Sequence, residues 1–126
     1  IVKGDAAQRA LSAWCMGWES ALNASGNNWQ APYLAQLLND QYDAVRYIAQ
    51  RSLRRLPGFG DFQYDFIGMK THLAEASTRA HENWRSQAVK AMRNPDLLIN
   101  ADGSLEVQRL LELLRQRDNK PIVIAE

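Results

Sequence analysis

The chain has a single cysteine, two histidines, only four prolines, and no uninterrupted apolar run near the roughly 20 residues needed to cross a bilayer. The lone Cys15 excludes an internal disulfide, a CxxCH haem attachment and a multi-cysteine zinc site within these residues. Set in "ALSAWCMGWESAL", it is expected to pack as a small hydrophobe. No GxSxG, P-loop, HExxH or paired-carboxylate pattern occurs, so no catalytic constellation names a reaction. "NADGS" carries one of the alternating acidic positions of a calcium loop and lacks its glutamate, which makes it a turn. His72 and His81 lie nine residues apart, on opposite sides of any helix that holds both, and cannot share a metal there. Both are expected at a helix surface, and Met16, Met69 and Met92 are expected to fill core.

The 126 residues are 46% apolar and 23% charged, an ordinary composition for one globular domain spanning 1–126. A start at Ile1 without a charged-then-apolar leader is expected of a piece of a longer polypeptide. The net charge is +1, but residues 43–93 hold nine Lys/Arg against five Asp/Glu and residues 94–126 four against six. That polarity is weaker than nucleic-acid domains usually carry.

Hydrophobic periodicity predicts an all-α fold of about five helices. Asp5 can cap a first helix to about Asn23, with Ala7, Ala10, Leu11, Trp14, Gly17, Trp18 and Leu22 as its buried face. "NASGNNW" ends it, and a short helix follows at about Pro32–Asn39. Asp43 is a candidate N-cap for a helix over about Ala44–Leu56, in which Val45, Ile48, Ala49, Ser52, Leu53 and Leu56 fall on one arc before Pro57 stops it. Residues 59–67 alternate Phe62, Tyr64 and Phe66 with polar residues and read as a short extended segment without a hairpin. A long helix over about Met69–Met92 lays Leu73, Ala76, Ala80, Trp84, Ala88 and Met92 on one side. Ser104 is expected to cap a fifth helix with Val107, Leu110, Leu111 and Leu114 on its face, and residues 121–125 form a short extended tail. Val45, Ile48, Leu53, Leu110 and Leu114 are the expected core.

The unit "PYLAQLLNDQYDAVRYIAQRSLRRL", Pro32 to Leu56, consists of a short helix, an Asp-containing turn, then Val-Arg and an amphipathic helix. It resembles a HEAT repeat, and the resemblance implies antiparallel helical pairs. It places Leu34, Leu37 and Leu38 in the first-helix core, and Val45, Ala49 and Leu53 in the second. It makes Asp40 and Arg46, with Asp43 as an alternative carboxylate, the structural ladder pair that ties neighbouring repeats. Only this unit matches closely. The stretches "ASGNNWQAPYLAQLL", "AVRYIAQRSLRRLPGF", "FQYDFIG" and "RDNKPIVIAE" are further similar to the C-terminal HEAT-like region that follows the haem-binding part of certain bacterial multihaem c-type cytochromes. This second resemblance implies an exported, periplasmic or similar parent chain whose CxxCH sites lie upstream. It implies no haem in this stretch, and an upstream partner packed against residues 5–38.

The residues themselves support a non-enzymatic scaffold or protein-interaction domain. Trp14, Trp18 and Trp84 are accounted for by burial. Trp29, in a loop before Pro32, either staples the helix entry or meets a partner. Arg51, Arg54 and Arg55 face away from the apolar arc; a solvated face is the plain reading, and a nucleic-acid contact by a HEAT-like module is the alternative. An enzyme reading has only Asp61 and Asp65 to recommend it.

Overall fold

In the computed structural model, which describes residues 1–87 and 95–121, six α-helices account for the secondary structure: α1 (Ala6–Met16), α2 (Glu19–Ser25), α3 (Gln30–Leu37), α4 (Asp43–Leu53), α5 (Lys70–Gln87) and α6 (Val107–Arg115). A single 3-10 turn spans Pro95–Leu97. Among the described residues there is no β-strand, only one antiparallel bridge between Ile99 and Leu105, so the fold is all-α. No described helix is long and apolar enough to cross a membrane.

Asp5 caps α1 through a capping box. Its carboxylate accepts the Gln8 backbone N–H at 2.8 Å, and the Gln8 side chain accepts the Asp5 N–H at 3.1 Å. The single first helix expected to Asn23 is two, because the chain breaks at Gly17 and restarts after Trp18. The break has a packing cause. A Cβ on Gly17 would lie 2.6 Å from the Ser52 Cα, so α4 crosses α1 where only glycine fits. The Gly17 carbonyl also accepts Arg55 Nη1 at 3.1 Å instead of continuing a helical ladder. α2 ends at Gly26, whose φ of +78° suits glycine.

The buried face of α1 is Ala6, Arg9, Ala13 and Met16. Of the face expected from the sequence, Gly17 is buried and Ala10 and Leu22 are half-buried, but Ala7, Leu11, Trp14 and Trp18 are exposed. The actual stripe is offset by one residue, about 100° around the helix. Small side chains at Ala6, Ala13 and Gly17 let α4 approach closely, and Arg9 finds a carboxylate that the local pattern does not announce.

α3 is buried nearly all round, from Gln30 to Leu37, because α1, α4 and α5 all pack against it. The principal contacts join α1 to α4, α3 to α4, and α3 to α5, giving one row of α1 and α4 and a second of α3 and α5. α4 carries the expected arc: Val45, Ala49, Ser52 and Leu53 are buried, with Leu56 buried just beyond its end and Ile48 half-buried. Each fully buried aliphatic side chain contributes on the order of 1.5–3 kcal/mol of transfer free energy. Tyr42, not Asp43, occupies the cap position; Asp43 is the first helical residue and accepts the Ala44 N–H at 2.8 Å.

Residues 62–66 alternate as expected, with half-buried Phe62, Tyr64 and Phe66 and exposed Gln63 and Asp65, but no strand forms. Tyr64 donates its hydroxyl to the Leu38 carbonyl and Tyr33 donates to the Leu97 carbonyl; burial pushes both phenols up to about 12. On α5, Leu73, Ala76, Ala80 and Trp84 are buried, and Trp84 Nε1 donates to the Asn28 carbonyl at 2.9 Å. Met69, expected in the core, is exposed at the helix start. The expected positions Ala88 and Met92 lie outside the described residues, as do residues 122–125 of the tail.

Ser104 does not cap α6. Its N–H and hydroxyl both turn back to the Asp102 carboxylate, at 2.9 and 2.6 Å, which holds that carboxyl below its usual range, and Glu106 takes the cap position. Of the expected α6 face, Leu110 is buried and Leu114 half-buried, while Val107 and Leu111 are exposed. Among the described residues no neighbouring helix covers that part of the stripe.

Candidate interaction surface

Asp40, in the short connection between α3 and α4, is fully buried and gathers contacts from four parts of the chain. Arg9 reaches it from α1 in a two-pronged pair, Nε to Oδ2 at 2.8 Å and Nη2 to Oδ1 at 3.0 Å, with both side chains inaccessible to solvent. Arg117 adds Nη1 to Oδ2 at 3.1 Å. Burial lowers the Arg117 pKa, Asp40 pulls it back up, and Arg9 lowers it again. The Arg9 guanidinium also donates to the Gly4 and Asp118 carbonyls, and Arg117 Nε donates to the Val2 carbonyl at 3.1 Å. Residues 117–120 thus lie as a strap over the α3–α4 connection, secured further by Tyr42 Oη to the Lys120 carbonyl at 2.9 Å and Gln41 Nε2 to the Asn119 carbonyl at 3.1 Å.

Arg46 meets Asp40, but at its main-chain carbonyl, 2.8 Å from Nη1, and spends Nε on the Phe66 carbonyl at 2.6 Å. Asp43 receives neither arginine among the described contacts; it sits exposed at the start of α4. The arginines on the Asp40 carboxylate are therefore Arg9 and Arg117, neither of which the local sequence pattern announces as its partner. The signal available was weak: an Arg five residues before Trp14 on a helix otherwise poor in charge.

The three arginines on the far side of α4 do not converge. Arg51 lies over the Tyr47 ring at 5.8 Å, Arg54 Nε donates to the Gly60 carbonyl at 3.0 Å, and Arg55 holds Gly17. Trp29 is half-buried at the N-terminus of α3, with Nε1 donating to the Ser25 carbonyl at 3.2 Å and its ring edge-on to Tyr33. Asp61 and Asp65 are exposed, and among the described residues no three His, Cys, Asp or Glu side chains cluster as metal ligands would. His81 is half-buried against Trp84, with ring centroids 5.9 Å apart; burial first and Arg85 second lower its pKa.

The surface most in need of explanation is the outer side of α1. Trp14 and Trp18 are 51% and 48% exposed and stack on each other, with centroids 5.8 Å apart and planes 18° from parallel. Leu11, 62% exposed, continues the stripe. Beside it an open apolar groove of about 320 Å³ runs between α1, α2 and the start of α3, lined by Leu11, Cys15, Met16, Ala21 and Trp29. Residues 6–30 place only one exposed charge on this side, Glu19, because Arg9 is turned inward. Burial had been expected to account for these two tryptophans, and it does not. Exposed contiguous aromatic surface of this kind marks a docking site more often than a solvated face.

No protein-family model, no curated protein and no solved structure matches this chain.

Proposed function

We propose that this chain is a non-enzymatic, HEAT-like helical scaffold that docks a protein on the outer face of α1 and α2. The observation that carries the reading is the half-exposed Trp14–Trp18 stack on a nearly charge-free surface. Aromatic, charge-depleted patches lose little on desolvation and gain area when covered. The two rows of helices, α1 with α4 and α3 with α5, are what a HEAT-like stack would place side by side, which supports that part of the reading. The similarity to the C-terminal part of multihaem c-type cytochromes supplies the wider context: an accessory domain that positions a haem module or its redox partner and binds no haem itself.

Residue-resolved hydroxyl-radical footprinting of the protein expressed from its complete reading frame tests the docking reading. Trp14 and Trp18 are expected to be shielded there relative to the dilute 126-residue chain; equal labelling overturns it. The cytochrome context requires CxxCH sites upstream in that reading frame, and their absence removes it. A nucleic-acid module would instead bind duplex DNA with strong salt dependence through Arg51, Arg54 and Arg55.

A further inference from the structure

We propose that the seat of residues 117–120, formed by Arg9 of α1, the α3–α4 connection and the N-terminal segment at Val2 and Lys3, is a recognition site for an extended peptide led by arginine, filled here by the chain's own strap. The site lies apart from the outer face of α1 and α2 and stands or falls independently of the docking reading.

The way the strap is held carries the inference. Its backbone is read residue by residue: the Asp118 carbonyl accepts Arg9 Nη1 at 2.8 Å, the Asn119 carbonyl accepts Gln41 Nε2 at 3.1 Å, and the Lys120 carbonyl accepts Tyr42 Oη at 2.9 Å. Three successive carbonyls thus meet three side-chain donors, and the Asp118 N–H donates to the Lys3 carbonyl at 3.0 Å. Contacts to main-chain groups hold an extended segment whatever its sequence, and a side-chain pocket then sets the choice among sequences. Asn119 and Lys120 are exposed and Asp118 is half-buried; the Asn119 side chain meets the site only at the limit of hydrogen bonding, 3.5 Å from Arg9 Nη2. The side chain drawn in is Arg117.

The pocket that takes it selects a guanidinium. Arg117 Nη1 lies 3.1 Å from Asp40 Oδ2 while Nε donates to the Val2 carbonyl at 3.1 Å. Two acceptors are met by two nitrogens of one planar fork, and the single ammonium of a lysine cannot occupy both positions.

The occupant is exchangeable at low cost. Residues 117–120 are all polar and none is fully buried, so lifting them withdraws no apolar side chain from the core, and segments held in this way open at the low end of the stability range. When Arg117 leaves, Asp40 keeps its two-pronged pair with Arg9, and no buried carboxylate is stranded. The tether gives the strap an effective concentration on the order of millimolar, which closes the site to a free peptide until the strap is loosened.

Fluorescence anisotropy with the 126-residue chain and a labelled, end-blocked peptide copying residues 116–121 tests this. Arg117→Ala in the chain loosens the strap and retains the Arg9–Asp40 pair, and it is expected to bind the peptide about tenfold or more tightly than the parent does. Replacing the peptide's arginine by lysine keeps its charge and should weaken binding about tenfold. Alanine at the peptide positions that copy 118, 119 and 120 should change it less than about threefold. No gain on Arg117→Ala, binding that survives the lysine change, or binding lost with the alanines each overturns the proposal. Should Arg117→Ala lose the helical circular dichroism of the parent, hydrogen exchange in the unmodified chain decides. Peptide at about 10 mM, above the effective concentration of the strap, should then speed exchange of the Asp118 amide and leave the α4 amides unchanged. An Asp118 amide indifferent to the peptide overturns the proposal.

Discussion

Arg9 on α1 and Asp40 after α3, 31 residues apart in sequence, form a two-pronged ion pair at 2.8 and 3.0 Å from which solvent is excluded. The Asp40 backbone holds the same connection, with its carbonyl on Arg46 and its carboxylate also capping the Tyr42 N–H at 3.1 Å. Asp40→Ala leaves Arg9 buried without a countercharge, and a loss of roughly 3–5 kcal/mol is expected by chemical denaturation. Replacing the whole charged centre by apolar residues, Arg9→Met and Arg117→Met with Asp40→Leu, should recover a large part of that loss. A triple variant no better than Asp40→Ala would show that unpaired charge is not what makes the single change costly.

Gly17 is a steric requirement. With the Ser52 Cα at 2.6 Å from an added Cβ, Gly17→Ala must push α1 from α4, and roughly 1–3 kcal/mol of destabilisation is expected. Its φ of −104° is open to alanine, so the cost should come from the crossing alone. Because the clash includes the Ser52 Cα, which glycine also carries, Gly17→Ala combined with Ser52→Gly should melt no closer to the parent than Gly17→Ala does.

Leu53 and Leu111 separate core from surface on two amphipathic helices, α4 and α6. Leu53 is wholly buried and Leu111 is 41% exposed. Thermal or urea unfolding should show Leu53→Ala costing about 2–5 kcal/mol and Leu111→Ala within about 1 kcal/mol of the parent. Equal losses would mean that the α6 stripe is covered in solution.

His81 should make stability fall on mild acidification. Its folded pKa lies below the ordinary 6.5, held down by burial and by Arg85, so the unfolded chain takes up the proton first. Its contribution is complete above about pH 6.5 and is lost as pH drops from there through the lowered folded value. The melting temperature of the parent should therefore decline between about pH 7 and pH 5 more steeply than that of His81→Gln. Parallel declines would assign the effect to other groups.

Where burial was legible in the sequence, one helix carried its own evidence. The arc of Val45, Ala49, Ser52, Leu53 and Leu56, and the stripe Leu73, Ala76, Ala80 and Trp84, are buried as their three-and-four spacing required, because a helix in contact with a core on one side must repeat its apolar residues at that interval. The Asp5 cap and the turn at residues 25–28 were legible for the same reason, since their determinants lie within a few residues of each other.

The outer face of α1 and the Asp40 centre could not be read this way. On α1 the tryptophans look like core, but what decides the helix's rotation is the close crossing of Gly17 with Ser52 and the carboxylate that Asp40 offers to Arg9, both set by residues more than 30 positions away. Arg117 and the strap from 117 to 120 arrive from still farther. The sequence by itself determined that α3, α4, α5 and α6 are helical and, for α4 and α5, which way they face, because those are local consequences of periodicity and capping. Only the tertiary structure decided that an arginine goes inside while two tryptophans stay out, because burying a charge is favourable only where a distant partner is brought to meet it.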